Sequence, residues 1–239
     1  MESPKGTLYL LPNVLAPNTL GQVLPTYNRE IIGQLRHFLA ENPRNARRFL
    51  AGLELETEIR ALHIDQLDKE TPEDTLPVLL APLLAGESIG ILSDSGCPGI
   101  ADPGQGAVAW AHRQGVGVVP LVGPSSLLLA LMASGLNGQS FAFQGYLPVS
   151  EEERANKIRQ LEKVSRQYQQ TQLFIETPYR NQSLLMSLLK NCQPDTRLCL
   201  AYHLTAPEAW VKTHTIRDWQ KIKPVLEKVP AVFLFLGKP

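Results

Sequence analysis

The sequence predicts an α/β protein of two domains, with a mainly parallel sheet in the first and a mixed sheet in the second. In the first half, short apolar runs alternate with longer helical patterns, an order typical of parallel sheets covered by helices. Towards the C-terminus the strand-like runs follow one another more closely, as in a mixed sheet. The length of 239 residues suits two modest domains, and 44% hydrophobic residues suffice for a real core.

Charge is unevenly distributed along a chain that is neutral as a whole. Residues 1–146 hold 9 basic and 14 acidic residues, whereas residues 147–239 hold 14 basic and 9 acidic ones. The segment 148–150 has the composition of a linker, and with this asymmetry it predicts two domains, residues 1–147 and 148–239. Simple drift of surface charge explains the counts equally well.

The elements of the first half follow from apolar runs and helix-start signals. Asn42-Pro43 predicts a helix start, because proline fits the first turn, where its missing N–H costs nothing. Thr71-Pro72-Glu73-Asp74 predicts another, with the threonine as N-cap and two acids facing the positive end of the helix dipole. Pro77 and Pro82 are expected to bend that helix. The predicted order is strand 7–11, helix 27–36, strand 37–40, a helix from 42, helix 71–85, strand 88–92, loop 93–104, a helix to 114, strand 116–121 and a helix from 125.

The second half contains a long charged helix and four strand-like runs after its first strand. The predicted order is strand 141–146, helix 151–169, strand 172–176, helix 180–189, strands 198–202 and 210–215, a short helix from 216 and strand 232–236.

Several classes of protein are not indicated. No apolar run approaches the ~18 residues that cross a bilayer, and the N-terminus lacks a secretory pattern. The three cysteines, Cys97, Cys192 and Cys199, include no Cys-x-x-Cys pair, and the histidines show no ligand spacing. We therefore expect a reduced cytoplasmic protein without a metal or a membrane span.

Two loops at predicted strand ends are candidate ligand loops, because open α/β sheets bind ligands beyond the carboxyl ends of their strands. Loop 93–104 holds three glycines and two prolines in twelve residues, which lets a rigid backbone approach a ligand closely. Its Asp94 and Asp102 could accept hydrogen bonds from a ribose, an amine or a hydroxyl, or could bond only turn amides.

The second candidate is the segment 122–126, which closes a strand and opens an apolar helix. A helix start favours an anionic or carboxylate-bearing ligand, although Ser125 or Ser126 could equally be a simple N-cap. We expect this segment and loop 93–104 to converge on one crevice.

Other catalytic signatures are absent or incomplete. No Gly-x-Gly-x-x-Gly follows a strand and no Gly-Lys-Ser/Thr occurs, which argues against a dinucleotide fingerprint and a P-loop. Gly123-Pro124-Ser125-Ser126-Leu127 is similar to a hydrolase nucleophile elbow, with Asp195 and His203 downstream in the right order. The elbow needs a small residue where Leu127 stands, so a serine hydrolase is a distant alternative.

Four motifs in order resemble the tetrapyrrole methylase superfamily, and within it the small-subunit ribosomal RNA (cytidine ribose 2′-O-) methyltransferases. They are Ser93-Asp94-Ser95-Gly96-Cys97-Pro98-Gly99-Ile100-Ala101-Asp102-Pro103-Gly104, Val118-Val119-Pro120-Leu121-Val122-Gly123-Pro124-Ser125-Ser126, Phe141-Ala142-Phe143-Gln144-Gly145-Tyr146-Leu147-Pro148 and Phe174-Ile175-Glu176-Thr177-Pro178-Tyr179-Arg180.

The resemblance implies a homodimeric methyltransferase of two α/β domains that binds S-adenosylmethionine (SAM) in the cleft between them. Asp94 and Asp102 fall in the family's substrate-side or loop-shaping positions and are the candidate catalytic residues. The positions that match the family's cofactor contacts are Ser95, Gly96, Cys97, Ile100, Ser125, Ser126, Glu176 and Ala231.

Departures from the ribosomal RNA branch leave the methyl acceptor open. The branch has Pro-Ile-Gly-Asn after its first strand, whereas here Leu11-Pro12-Asn13-Val14 lacks the glycine. Glu-Asp-Thr-Arg becomes Glu41-Asn42-Pro43-Arg44, Cys97 replaces the usual threonine, and Pro-His-Arg becomes Pro178-Tyr179-Arg180. We also expect the branch's C-terminal extension to be absent.

Three functions therefore stay open: a methyltransferase of ribosomal RNA, one of a small molecule such as a tetrapyrrole, or a degenerate SAM-binding paralogue without turnover. Basic residues could meet RNA phosphates or could simply form solvated helix faces. They are Arg44, Arg47, Arg48, Arg154, Lys157, Arg159 and Lys163.

Overall fold

The computed structural model describes residues 4–238, which form two compact units divided between Ser125 and Ser126. The division falls before the boundary expected at 147/148. Helix α7 (Ser126–Ser134) packs on strands of the second sheet, and strand β6 (Phe141–Tyr146) pairs with the strand that follows it. Both elements therefore lie in the second unit.

The first unit has a five-stranded, entirely parallel sheet in the order β3-β2-β4-β1-β5, which confirms the predicted parallel sheet. The strand β1 pairs with β4 on one side and with β5 on the other. The strands are β1 (Thr7–Leu11), β2 (His37–Ala40), β3 (His63–Gln66), β4 (Ile89–Leu92) and β5 (Gly117–Pro120).

Helices cover both faces of this sheet. Leu11, Phe38 and the helices of residues 20–52 form one core cluster, while Leu8, Ile91 and the helices of residues 76–113 form the other. Alternate residues of each strand face opposite clusters, as the pleat requires. The helices are α1 (Leu20–Val23), α2 (Thr26–Gln34), α3 (Pro43–Gly52), α4 (Leu76–Leu79), α5 (Ala81–Leu84) and α6 (Gln105–Arg113).

The prediction of one continuous helix over residues 71–85 is wrong. The structure has a 3₁₀ turn (Glu73–Thr75) followed by the separate helices α4 and α5, and Pro77 and Pro82 each lie in the first turn of one of these short helices. The Thr71 hydroxyl donates to Asp68 instead of capping a helix. Two prolines five residues apart interrupt the helix rather than bend it, because each removes a backbone donor.

The second unit has a mixed sheet in the order β6-β7-β10-β8-β9, again as predicted. Strands β6 and β7 are parallel, and the other neighbours are antiparallel. Helix α7 covers one face, and α8, α9 and α10 cover the other. The further elements are β7 (Thr171–Ile175), β8 (Arg197–Tyr202), β9 (Trp210–Thr215), β10 (Ala231–Leu236), α8 (Glu151–Tyr168), α9 (Asn181–Asn191) and α10 (Ile216–Ile222).

Arg154 is not available to RNA, contrary to expectation. It lies buried in the first turn of α8, where its guanidinium donates to Ser187 Oγ at 2.9 Å and to the Val149 carbonyl at 3.1 Å. The bond to Ser187 attaches α8 to α9, so this arginine has a structural role.

Within residues 4–238, none of the helices combines the length and apolar character that a membrane crossing requires. The same residues contain no group of three or more His, Cys, Asp or Glu side chains arranged to hold a metal ion.

Candidate functional site

The loops that follow β1 and β4 are joined at the carboxyl edge of the first sheet. The Asn13 N–H donates to the Gly96 carbonyl at 2.8 Å, and the Gly96 N–H donates to the Asn13 carbonyl at 3.2 Å. Because β1 and β4 are parallel neighbours, the segments that follow these two strands leave the sheet at the same edge. This bridge fixes the first loop against the glycine-rich loop.

The side chain of Asn13 strengthens the same connection. Its Nδ2 donates to the carbonyls of Ser93 at 3.0 Å and Asp94 at 3.2 Å, and its Oδ1 accepts from the Val14 N–H at 2.7 Å. Asn13 is only 6% exposed. The missing glycine of this loop is evident in the sequence, but the role of Asn13 is not, because no spacing relates residue 13 to residues 93–96.

The loop after β5 meets the other two loops. A Cβ atom added to Gly123 would lie 2.3 Å from Pro12 Cβ, so only glycine fits against the first loop here. The Cys97 thiol donates to the Pro124 carbonyl at 3.5 Å. The side chain of buried Asn28 donates through Nδ2 to the Val122 carbonyl at 2.7 Å. Loop 93–104 and the segment before the serine pair therefore come together, as the strand-end rule predicted.

Loop 93–104 is held in shape from within. The Ser93 hydroxyl donates to Asp102 Oδ2 at 2.6 Å and accepts from the Ser95 N–H at 3.0 Å. Gly96 and Gly99 adopt φ of +75° and +76°, and the non-glycine Ala101 adopts +63°. These left-handed conformations turn the backbone repeatedly, and they leave Gly99 and Ala101 exposed while Gly96 is buried.

Three carboxylates gather beside this loop. Asp94 is exposed, and its Oδ2 accepts a hydrogen bond from Asn45 Nδ2 at 2.8 Å. Burial raises the pKa of Asp102, an effect that the Ser93 hydrogen bond opposes and that the charge of Asp94 increases. Burial and the charges of Asp102 and Asp94 likewise raise the pKa of Glu41. Neither Asn45 nor Glu41 was predicted at the site, and both reach this edge because β2 lies beside β4.

The expected cofactor positions of the loop differ in accessibility. Ser95 is exposed and Ile100 is 52% exposed, whereas Gly96 is buried. Burial raises the pKa of the half-buried Cys97 thiol, so it stays protonated and uncharged at neutral pH. In the chain, Ser125 ends the first unit and Ser126 begins α7.

The remaining expected positions lie in the second unit, at the edge where β7 ends and β10 begins. Glu176 is buried, forms an ion pair with Arg180 at 2.6 Å and accepts from the Thr177 N–H at 2.7 Å. Ala231 is the first residue of β10 and is also buried.

Two buried oxygens near these strand ends lack hydrogen-bond partners among the described residues: Asn181 Oδ1 and Thr205 Oγ1. Asn181 lies at the start of α9, five residues after Glu176, and its Nδ2 donates to the Val229 carbonyl at 2.8 Å. Thr205 follows β8 and adopts a φ of +69°. A buried oxygen without a hydrogen bond lowers the stability of the folded protein. A ligand that donates hydrogen bonds to these two oxygens would remove that cost and would therefore be favoured here.

Comparison with known proteins finds relatives across most of the chain. A ribosomal RNA small subunit methyltransferase I from Vibrio cholerae is 34% identical over 198 residues, which are 83% of this chain and 65% of that protein. The protein of the same name from Xylella fastidiosa is 33% identical over 187 residues, 78% of this chain and 64% of its own length. The chain thus spans just under two thirds of the length of these two relatives.

Solved structures share the fold at low identity. The methyltransferase CobJ matches with a TM-score of 0.62 and 16% identity over 97% of this chain and 94% of its own. The cobalt precorrin-4 methyltransferase CbiF matches with a TM-score of 0.59 and 15% identity, over 96% and 94%. A scan against protein-family models finds no match.

The two α/β units and the converging loops define the fold class of the tetrapyrrole methylases. In sequence the chain is similar to proteins named ribosomal RNA small subunit methyltransferase I, and in fold it is similar to the methyltransferases CobJ and CbiF.

Proposed function

We propose that this protein transfers a methyl group from SAM to a ribose 2′-hydroxyl of small-subunit ribosomal RNA, in the cytoplasm. The main support is the junction of the loops after β1, β4 and β5, in a chain whose relatives carry the name ribosomal RNA small subunit methyltransferase I. Strand-end loops of this kind are where open α/β sheets bind small ligands.

Each unit by itself contains groups of the kind that bind part of SAM. In the first unit, the turn at Gly99 lies at the surface near the exposed Ser95 and Ile100, whereas Gly96 is buried and bonded to Asn13. In the second unit, Asn181 Oδ1 and Thr205 Oγ1 are buried acceptors that an adenine amino group or ribose hydroxyl could satisfy. The N-terminus of α7, which begins at Ser126, favours a carboxylate.

Glu176 and Ala231 have more restricted roles in this proposal. The carboxylate of Glu176 is occupied by Arg180 and the Thr177 N–H, so it shapes the loop after β7. Ala231 contributes a small side chain and backbone groups at the start of β10.

SAM, when bound, would supply an activated methyl group, and S-adenosylhomocysteine would be the leaving group. The acceptor hydroxyl must lose its proton in this transfer, and a carboxylate within reach can accept it. Asp94 is the exposed carboxylate of the loop and is steadied by Asn45, so we assign it this role. Asp102 positions the loop through Ser93 and could serve as a second acceptor.

Calorimetric titration with SAM, followed by transfer from methyl-labelled SAM, tests the proposal. We expect SAM to bind and label to enter small-subunit ribosomal RNA, with a large loss of rate in Asp94→Asn and unchanged SAM affinity. Label in a porphyrinoid pool instead would favour the small-molecule alternative. SAM binding without turnover on either acceptor would favour a degenerate paralogue, and no binding would refute the proposal.

We further propose a homodimer. In the second unit α7 is apolar around its whole circumference, yet Met132 is 80% exposed, and Phe141 on the edge strand β6 is 44% exposed. Helices that are apolar all round are normally buried. Light scattering should give twice the mass of one chain, and Met132→Lys with Phe141→Lys should restore the monomer mass.

A further inference from the structure

We propose that three arginines of α3, Arg44, Arg47 and Arg48, form an RNA phosphate-binding stripe beside the candidate site. This inference rests on the proposed function, since it names the surface that holds the RNA acceptor. All three residues are exposed, and the opposite face of α3 is buried through Ala46, Phe49 and Leu50. Residues three and four positions apart share one helix face, so Arg44 lies next to both other arginines.

The stripe is placed at the site by two asparagines. Asn42 caps α3, because its Oδ1 accepts from the N–H groups of Arg44 at 3.0 Å and Asn45 at 3.3 Å. One position after Arg44, Asn45 Nδ2 donates to the Asp94 carboxylate at 2.8 Å. The first turn of α3 is therefore fixed next to the exposed carboxylate to which we assign the proton transfer.

Among the described residues, the arginines of the stripe form no ion pair. Among residues 4–238, no carboxylate forms an ion pair with any of the three arginines, whereas the other arginine pairs involve Arg29, Arg60 and Arg180. The first unit, residues 1–125, holds only 9 basic residues against 14 acidic ones, so a third of its positive charge lies in this helix. Unneutralised cations clustered beside a site attract a polyanion.

The arrangement also opposes helix stability, which argues against a purely structural role. The first turn of a helix favours acidic residues, as in α8, which begins with Glu151, Glu152 and Glu153. The first turn of α3 has no acidic residue and instead carries Arg44. Like charges three and four residues apart repel one another, so the stripe weakens the helix it stands on. Such local conflicts are expected at functional surfaces.

The test compares two triple variants of the full chain that remove the same charge. The first is R44A/R47A/R48A, and the matched control is R29A/R60A/R113A, three exposed arginines elsewhere in the same unit. Affinity for a short single-stranded oligoribonucleotide and for small-subunit ribosomal RNA is measured over a range of salt concentrations. SAM affinity and melting temperature are measured in parallel.

For the stripe variant we expect RNA binding about 100-fold weaker at about 0.1 M salt, and a log–log salt slope shallower by about 2, the effect of three single-strand phosphate contacts. The KM for RNA should rise while kcat and SAM affinity stay unchanged, and the melting temperature should not fall. R44K/R47K/R48K should recover most of the salt slope, because it keeps the charges. The control should change RNA affinity by no more than about twofold.

Three other results are possible, and each of them would refute the stripe. If the native protein methylates RNA but the stripe variant keeps its affinity and salt slope, the stripe is refuted and the proposed function stands. If the stripe variant melts lower or loses SAM affinity, the arginines have a structural role and the stripe is refuted. If the native protein binds no RNA at any salt concentration, both the stripe and the RNA acceptor are refuted.

Discussion

Asn13 attaches the first loop to loop 93–104 through side-chain hydrogen bonds to the carbonyls of Ser93 and Asp94. Asn13→Ala removes the donor shared by two carbonyls and the acceptor of the Val14 N–H, and leaves these groups unsatisfied near the protein interior. We expect the free energy of unfolding to fall by about 1–3 kcal/mol and SAM affinity to weaken. Urea unfolding and calorimetry measure both.

The matched control for Asn13 is Asn156→Ala, which removes an exposed amide that accepts from Arg159 on the surface of α8. That change should stay within about 0.5 kcal/mol. Equal stability losses in the two variants would contradict the role given to Asn13.

Asp102 gives the protein a defined pH dependence. Burial raises its pKa above the ordinary value of 3.8, so the folded protein holds this proton more tightly than the unfolded chain does. Its contribution to stability is therefore present below pH 3.8 and is lost as the pH rises through the folded pKa.

Asp102→Asn keeps an acceptor for the Ser93 hydroxyl but cannot ionise. Between about pH 3 and about pH 7, the stability of the variant relative to the native protein should therefore rise. Urea unfolding at intervals across this range measures the difference. A constant difference would show that ionised Asp102 is not disfavoured in the folded state.

At the scale of elements, the loop after β5 depends on close backbone packing. Gly123→Ala places a Cβ atom 2.3 Å from the Pro12 ring, and a proline ring on a bridged loop has little freedom to move. We expect a loss of about 1–3 kcal/mol in the free energy of unfolding. Gly138→Ala is the control, because a Cβ atom added there would meet nothing within 4 Å, and it should be neutral. Equal effects would show that the loops are not tightly packed.

Most elements follow from local patterns, and the exceptions have physical reasons. The cap at Asn42 was predictable because it depends on residues two and three positions away. Strand β3 was missed because it lies at the sheet edge, where His63, Asp65 and Gln66 are exposed and the apolar run is absent. The hydrogen bond of Thr71 to Asp68 takes the place of helix capping by the same hydroxyl. The motif that begins at Thr71 does not show which of these two hydrogen bonds forms.

The sequence predicts which strand-end loop belongs to the candidate site, but it does not predict the contacts that join the loops. Glycine content and position indicated loop 93–104, but the contacts of Asn13 with Gly96 and of Asn45 with Asp94 depend on the strand order β2-β4-β1. That order is a long-range property of the sheet. The residues that join the loops were therefore not visible in any spacing along the sequence.

At the scale of the whole molecule, net neutrality conceals two oppositely charged units. Residues 1–125 hold 9 basic and 14 acidic residues, and residues 126–239 hold 14 and 9. Such molecules attract one another at low ionic strength near neutral pH, because the unlike units of neighbouring molecules can approach and no net charge opposes them. We expect clusters that disperse as salt shortens the Debye length to about 8 Å at 0.15 M.

This electrostatic association is distinguishable from the proposed dimer. Light scattering across a salt series should show clusters that disappear and a dimer that persists, since burial of Met132 and Phe141 is not screened by ions. A dimer that dissociates with salt would instead assign the subunit contact to the charged surfaces of the two units, and α7 would then need another partner for its exposed apolar side.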